Sequence, residues 1–233
     1  MATFPELLDW AGAPEALVQW IRAHAHAEIE LLDTTNAELH ALLRECPSAG
    51  WAPWLAAVAT VPMELVLAAV GLAIESQCDD HPTLTSALEE AYGAVASDGS
   101  GEECLVWAER CEALAMNPPR GFRSDGAHLA KLAAATALVL RAAEAVSAAM
   151  ARAEADRMTR ARAQTARFGG GLSAWVAQTN TPMVLAQRAL AVGHEEPVDP
   201  ELAFAAAALA QALDLVGGVS GDEQTRQTFS SAL

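Results

Sequence analysis

Ser124 to Phe168 is the longest run in the chain that contains no proline and only one early glycine, Gly126. Alanine, leucine and arginine dominate it, residues that lose little side-chain freedom in a helix, so the run predicts one continuous α-helical segment. Ser124 or Asp125 is placed to accept from the first free backbone N–H groups, and Gly169-Gly170-Gly171 supplies a stop. One face carries Leu129, Leu132, Thr136, Val139, Ala143, Val146 and Met150; the opposite face, with Ala130, Ala134, Leu138, Ala142, Ala145 and Ala149, is apolar too. A helix apolar on both faces has to be surrounded by other helices. From Arg152 onward Arg157, Arg160, Arg162 and Arg167 interrupt the pattern. A straight helix of this length spans roughly 60 Å, more than a compact domain of this size is wide, so it must bend near Asp156 or let its Arg-rich end project.

The rest of the chain reads as shorter helices. Segments begin at Pro5, Pro14, Ala37, Trp51, Pro62, Thr83 and Glu102 in the first half, and at Leu172, Pro182 and Pro200 after the long run, separated by turn sequences such as Pro47-Ser-Ala-Gly50 and Asp98-Gly-Ser-Gly101. Nothing alternates with period two for long enough to form a strand. The expected fold class is all-α, a multi-helix bundle or helical array around the long central alanine-rich helix, with no sheet. Residues 1–117 and 118–233 are expected to pack as one globular unit, with 217–233 a flexible polar tail. A weak echo links residues 51–88 to 175–209 (Trp51, Pro62-Met63 and Ala87-Leu88 against Trp175, Pro182-Met183 and Ala208-Leu209), at spacings that differ by several residues.

Charge divides unevenly along this chain of 233 residues. Residues 1–117 hold three basic side chains against nineteen acidic ones, a balance of −16, while residues 118–233 hold eleven of each, so the first half carries the whole net charge of −16. Such a field repels nucleic acid and anionic lipid and attracts a basic partner. The same excess also serves solubility. No basic n-region or apolar h-region opens the chain, and Val58 to Ile74 and Ala127 to Met150 are broken by Pro62 and Glu64, and by His128, Lys131, Arg141 and Glu144, so neither export nor membrane insertion is expected. Cys46, Cys78, Cys104 and Cys111 have no paired metal spacing and read as free thiols of a reducing cytoplasm.

Four constellations have residue types that could carry chemistry. His24-Ala-His26-Ala-Glu28-Ile-Glu30 places two His/Glu pairs on well-separated helix faces, which suits ion pairs better than a metal site, and no Glu-x-x-His motif exists for a di-iron bundle. The loop leading into the long helix offers Arg120, Phe122, Arg123, Asp125 and His128 beside a helix N-terminus, an arrangement able to hold an anion. Its plainer use is to connect the halves after Pro118-Pro119, with the arginines paired to the acidic side. Trp51-Ala-Pro-Trp54 could present two rings to a partner or fill the core. Glu89, Glu90, Glu102 and Glu103 flank one loop and are the candidate docking carboxylates. Nucleophile-elbow, phosphate-loop and dinucleotide fingerprints are missing from the sequence.

These features favour a non-enzymatic cytoplasmic interaction protein of the adaptor or toxin-neutralising kind, which uses Glu89, Glu90, Glu102, Glu103, Trp51 and Trp54 to bind a basic protein, with no cofactor, metal, nucleic acid or membrane. The alternatives are a helical sensor or enzyme for an anionic small molecule at the Arg120 to His128 loop, and a self-assembling structural protein. A homodimer through the Arg-rich 152–167 helix end is a further expectation, since that end has an acidic counterpart in the first half of its own chain or of a second copy.

Overall fold

The computed structural model describes residues 4–23, 36–59, 61–78, 81–96, 101–118, 126–168 and 199–233. Among these the regular structure is entirely helical: α1 (Phe4–Trp10), α2 (Glu15–Ala23), α3 (Asn36–Glu45), a single 3-10 turn (Ala49–Trp51), α4 (Ala52–Val58), α5 (Met63–Glu75), α6 (Pro82–Ala96), α7 (Glu102–Met116), α8 (Gly126–Phe168), α9 (Pro200–Ser220) and α10 (Asp222–Ala232). The all-α array around a long central helix is therefore the fold. The helices expected over 172–179 and 182–192, the continuation of α2 towards Leu32, and Trp175 with its half of the internal echo lie outside the described residues.

α8 is continuous over 43 residues. Its first half is the axis of the molecule, packed by α5, α6 and α7 from the first half of the chain and by α9 from the second. Leu129, Leu132, Val139, Leu140 and Val146 are buried, and so are Ala133, Ala135, Ala142, Ala143, Ala145 and Ala149 around the rest of the circumference. Alanine lets helix axes approach closely, and an all-round apolar segment is stable only when it is enclosed. The buried hydroxyl on this axis, Thr136 Oγ1, donates to the Leu132 carbonyl at 2.9 Å and is thereby satisfied. α9 runs antiparallel to α8: Lys131 Nζ donates to the Gly218 carbonyl at 3.3 Å at one end, and Arg152 meets Asp199 at 3.0 Å at the other. Asp199 also caps α9, accepting from the Glu201 N–H at 2.9 Å. By length and composition alone, Gly126–Arg162 and Pro200–Gly218 could each cross a membrane, but most of each apolar window is buried against the other helices.

Past Met150 the long helix is largely uncovered by the described residues: Ala151, Arg152, Ala155, Asp156, Met158, Thr159, Arg160 and Arg162 are exposed, so among the described residues the Arg-rich end projects. Its arginines do not reach the acidic first half among the described residues. Arg152 pairs with Asp199 and Glu201 of α9, and Arg157 with Glu154 one turn back. The ion pair that does tie α8 to the acidic half is Arg141 with Glu112 of α7, at 2.6 Å.

Residues 217–233, expected above as a polar tail, are helical. α9 continues to Ser220, and after Gly221, at φ +91°, α10 folds back on α9, α5 and α3. Phe229 is fully buried, the Arg226 guanidinium donates to the carbonyls of Arg44 and Cys46 that end α3, and His40 Nδ1 lies 2.9 Å from Ser230 Oγ. A cation on the last carbonyls of a helix satisfies acceptors that have no partner within the helix and opposes the negative end of its dipole.

Candidate functional site

The acidic candidates gather where α6 hands over to α7. Pro82 opens α6 and Leu84, Ala87, Leu88 and Ala91 turn inward, which leaves Glu89 exposed and Glu90 half-buried on the side facing α7. α7 begins with Glu102 and Glu103, where carboxylates suit the positive end of the helix dipole. Gly101 sets how closely this start approaches α8, because a Cβ there would stand 2.8 Å from the Glu144 Cα. Across the loop Glu103 acts on the Glu90 side chain. Partial burial first, and then the charge and hydrogen bond of Glu103, raise the Glu90 carboxyl above its ordinary value.

Three carboxylates from three helices, Glu90, Glu144 and Glu103, act on the thiol of Cys104 between them. Burial pushes that thiol up to about 11, with those charges adding to it. Burial likewise pushes Cys46 and Cys111 up to about 11. All four cysteines are free and buried, so these thiols are packing groups rather than nucleophiles.

The structure separates the remaining candidates. Trp54 is 4% exposed and sits in the core, because α4 is buried on nearly every side, Ala52, Pro53, Leu55, Ala56 and Val58 included; it offers no ring to a partner. Trp51 is half-buried with its ring 6.0 Å from that of Trp20, so this pair fills space between α2 and the 3-10 turn, away from the acidic corner in sequence. Arg120, Phe122, Arg123 and Asp125 lie outside the described residues, as do His24, His26, Glu28 and Glu30. His128 is described: its Nε2 donates to the Gln77 carbonyl at 3.3 Å and ties the first turn of α8 to the end of α5. Among the described residues no three His, Cys, Asp or Glu side chains are grouped to hold a metal ion.

Sequence reasoning missed Leu105, Val106 and Met116, which are exposed on α7. The usual pattern is inverted in this helix: small residues, Cys104, Ala108 and Cys111, face α8, while larger apolar ones point outward. A reader looking for the larger apolar stripe would turn the helix the wrong way. The available signal is the seven-residue spacing of the two cysteines with Ala108 between them, which marks the close-approach side. Trp107 is half-buried at the edge of this face, with the Arg110 guanidinium 4.8 Å above its ring.

No protein-family model, no curated protein and no solved structure matches this chain.

Proposed function

We propose that the protein is a non-enzymatic interaction protein, of the adaptor or toxin-neutralising kind, that works in the cytoplasm and docks a basic protein on its acidic first half. The observation that carries this reading is the gathering of the exposed Glu89, Glu102 and Glu103 beside Glu90 where α6 hands over to α7, a corner in which burial and then repulsion from Glu103 raise the Glu90 carboxyl. It sits within a half-chain whose balance of −16 has no internal compensation. Cationic side chains of a partner would release that repulsion on binding, and the surrounding field would speed the encounter. Four buried free thiols support a reducing compartment.

Native mass spectrometry of the protein isolated from its own cells tests this. A retained basic protein is expected, and reversing Glu89, Glu90, Glu102 and Glu103 to lysine should abolish the complex while circular dichroism stays helical. A complex that survives both the reversal and 0.5 M-scale salt, where exposed charges are screened within roughly 4 Å, would rule the reading out.

A further inference from the structure

We infer that the outer face of α7 is the docking stripe itself and that its occupant is a basic amphipathic helix of the partner; the inference rests on the acidic docking reading above. Glu102, Val106, Glu109, Ala113 and Met116 follow one another at intervals of four, three, four and three, so they form a single line along the helix. Every one of them is exposed, Met116 at 79% and Val106 at 51%, and Leu105 flanks the line at 38%.

Two properties of the stripe fix the chemistry of what covers it. Its charges are carboxylates, with Glu103 at the edge beside Glu90, and the one basic residue within α7, Arg110, is stacked on Trp107. The complementary surface is therefore cationic, which excludes an anionic lipid surface and the like-charged α7 of a second copy. The apolar positions Val106 and Met116 are spaced as helix-packing ridges are, and the backbone donors and acceptors of α7 are spent within the helix, so strand addition has nothing to pair with. A helix bearing lysine or arginine beside apolar residues at three- and four-residue intervals fits both properties. The line from Glu102 to Met116 extends about 21 Å, room for roughly four turns.

The test uses the full chain and two synthetic peptides of equal positive charge. One is an amphipathic leucine/lysine helix; the other carries its lysines among glycine and serine and has no apolar side chain. Fluorescence anisotropy should show the amphipathic peptide binding about tenfold more tightly, the scale expected when two exposed apolar anchors are covered. Val106→Ser with Met116→Ser should erase that difference, and Glu102→Gln with Glu109→Gln should weaken both peptides. Both positions are exposed, so these variants keep the fold. Equal binding of the two peptides, or a serine variant indistinguishable from wild type, overturns the inference and leaves the acidic reading standing. Failure of both peptides to bind at low salt removes the acidic reading and the inference together. Concentration-dependent assembly in sedimentation velocity, abolished by the serine variant, would give the stripe to a second copy and also overturn the inference.

Discussion

At the scale of single residues the molecule is held by close approaches that small side chains permit. Gly71 in α5 lies beneath Tyr92 of α6, and a Cβ there would fall 2.1 Å from the phenol oxygen, which donates to Glu75 Oε1 at 3.4 Å. Gly71→Ala should lower stability by about 1–3 kcal/mol through overpacking, and adding Tyr92→Phe should recover part of the loss; thermal unfolding of the single and double variants checks this. The acidic corner makes a prediction with a sign. The folded Glu90 carboxyl is raised above its ordinary 4.5, so its contribution to stability is fully present below that value and is lost as pH rises through the raised one. Glu90→Gln should therefore melt higher than wild type at pH 7, with the advantage disappearing in acid. A melting difference that is independent of pH would show that packing, not charge, separates the two. The sequence grouped the acidic residues around one loop but did not show which of them act on each other, nor the close approach at Gly71. Glu90 and Glu103 stand on either side of a loop, and Gly71 looks like a defect in a good helix until Tyr92 is placed over it.

At the scale of elements, what could be read and what could not divide according to whether a helix stabilises itself. α8 was legible because its composition leaves the backbone one favourable local state and its apolar residues go all the way round. α10 was not, because Asp222–Ala232 is polar and its order comes from elsewhere: Phe229 in the core and Arg226 on the last carbonyls of α3. α4 was placed correctly along the chain, yet Trp54 turned inward, since Trp-Ala-Pro-Trp reads as a turn whereas Ala52 and Pro53 already belong to α4, a helix buried on nearly every side. The dependence of α10 on tertiary contacts is testable. Phe229→Ala should cost about 3–5 kcal/mol, and hydrogen exchange should rise in α10 and also in the last turn of α3, whose carbonyls Arg226 satisfies. Exchange that rises in α10 alone would mean that the end of α3 does not depend on it. Arg226→Met should raise exchange at the end of α3 by a smaller amount while leaving Phe229 buried.

At the scale of the whole molecule one cause should produce two opposite responses to salt. The net charge of −16 destabilises the compact state through self-repulsion, and the same charge attracts a basic partner. Against the first effect stand the ion pairs Arg141–Glu112, Arg152–Asp199, Arg152–Glu201 and Arg157–Glu154, which salt weakens. Their side chains are substantially solvated, and pairs of that kind contribute about 0–1 kcal/mol each. Three of the four lie within the charge-balanced second half, so they leave the acidic half uncompensated. Self-repulsion should therefore win: raising sodium chloride from about 10 mM to about 300 mM, which shortens the screening length from about 30 Å to about 6 Å, should raise Tm. Over the same range the affinity for the leucine/lysine peptide should fall. A variant with Glu89, Glu90, Glu102 and Glu103 all changed to glutamine should flatten both curves, because the same carboxylates act in each. If Tm falls with salt, the ion pairs outweigh the acidic field. If Tm rises while peptide affinity holds steady, the field belongs to solubility and the docking surface lies elsewhere.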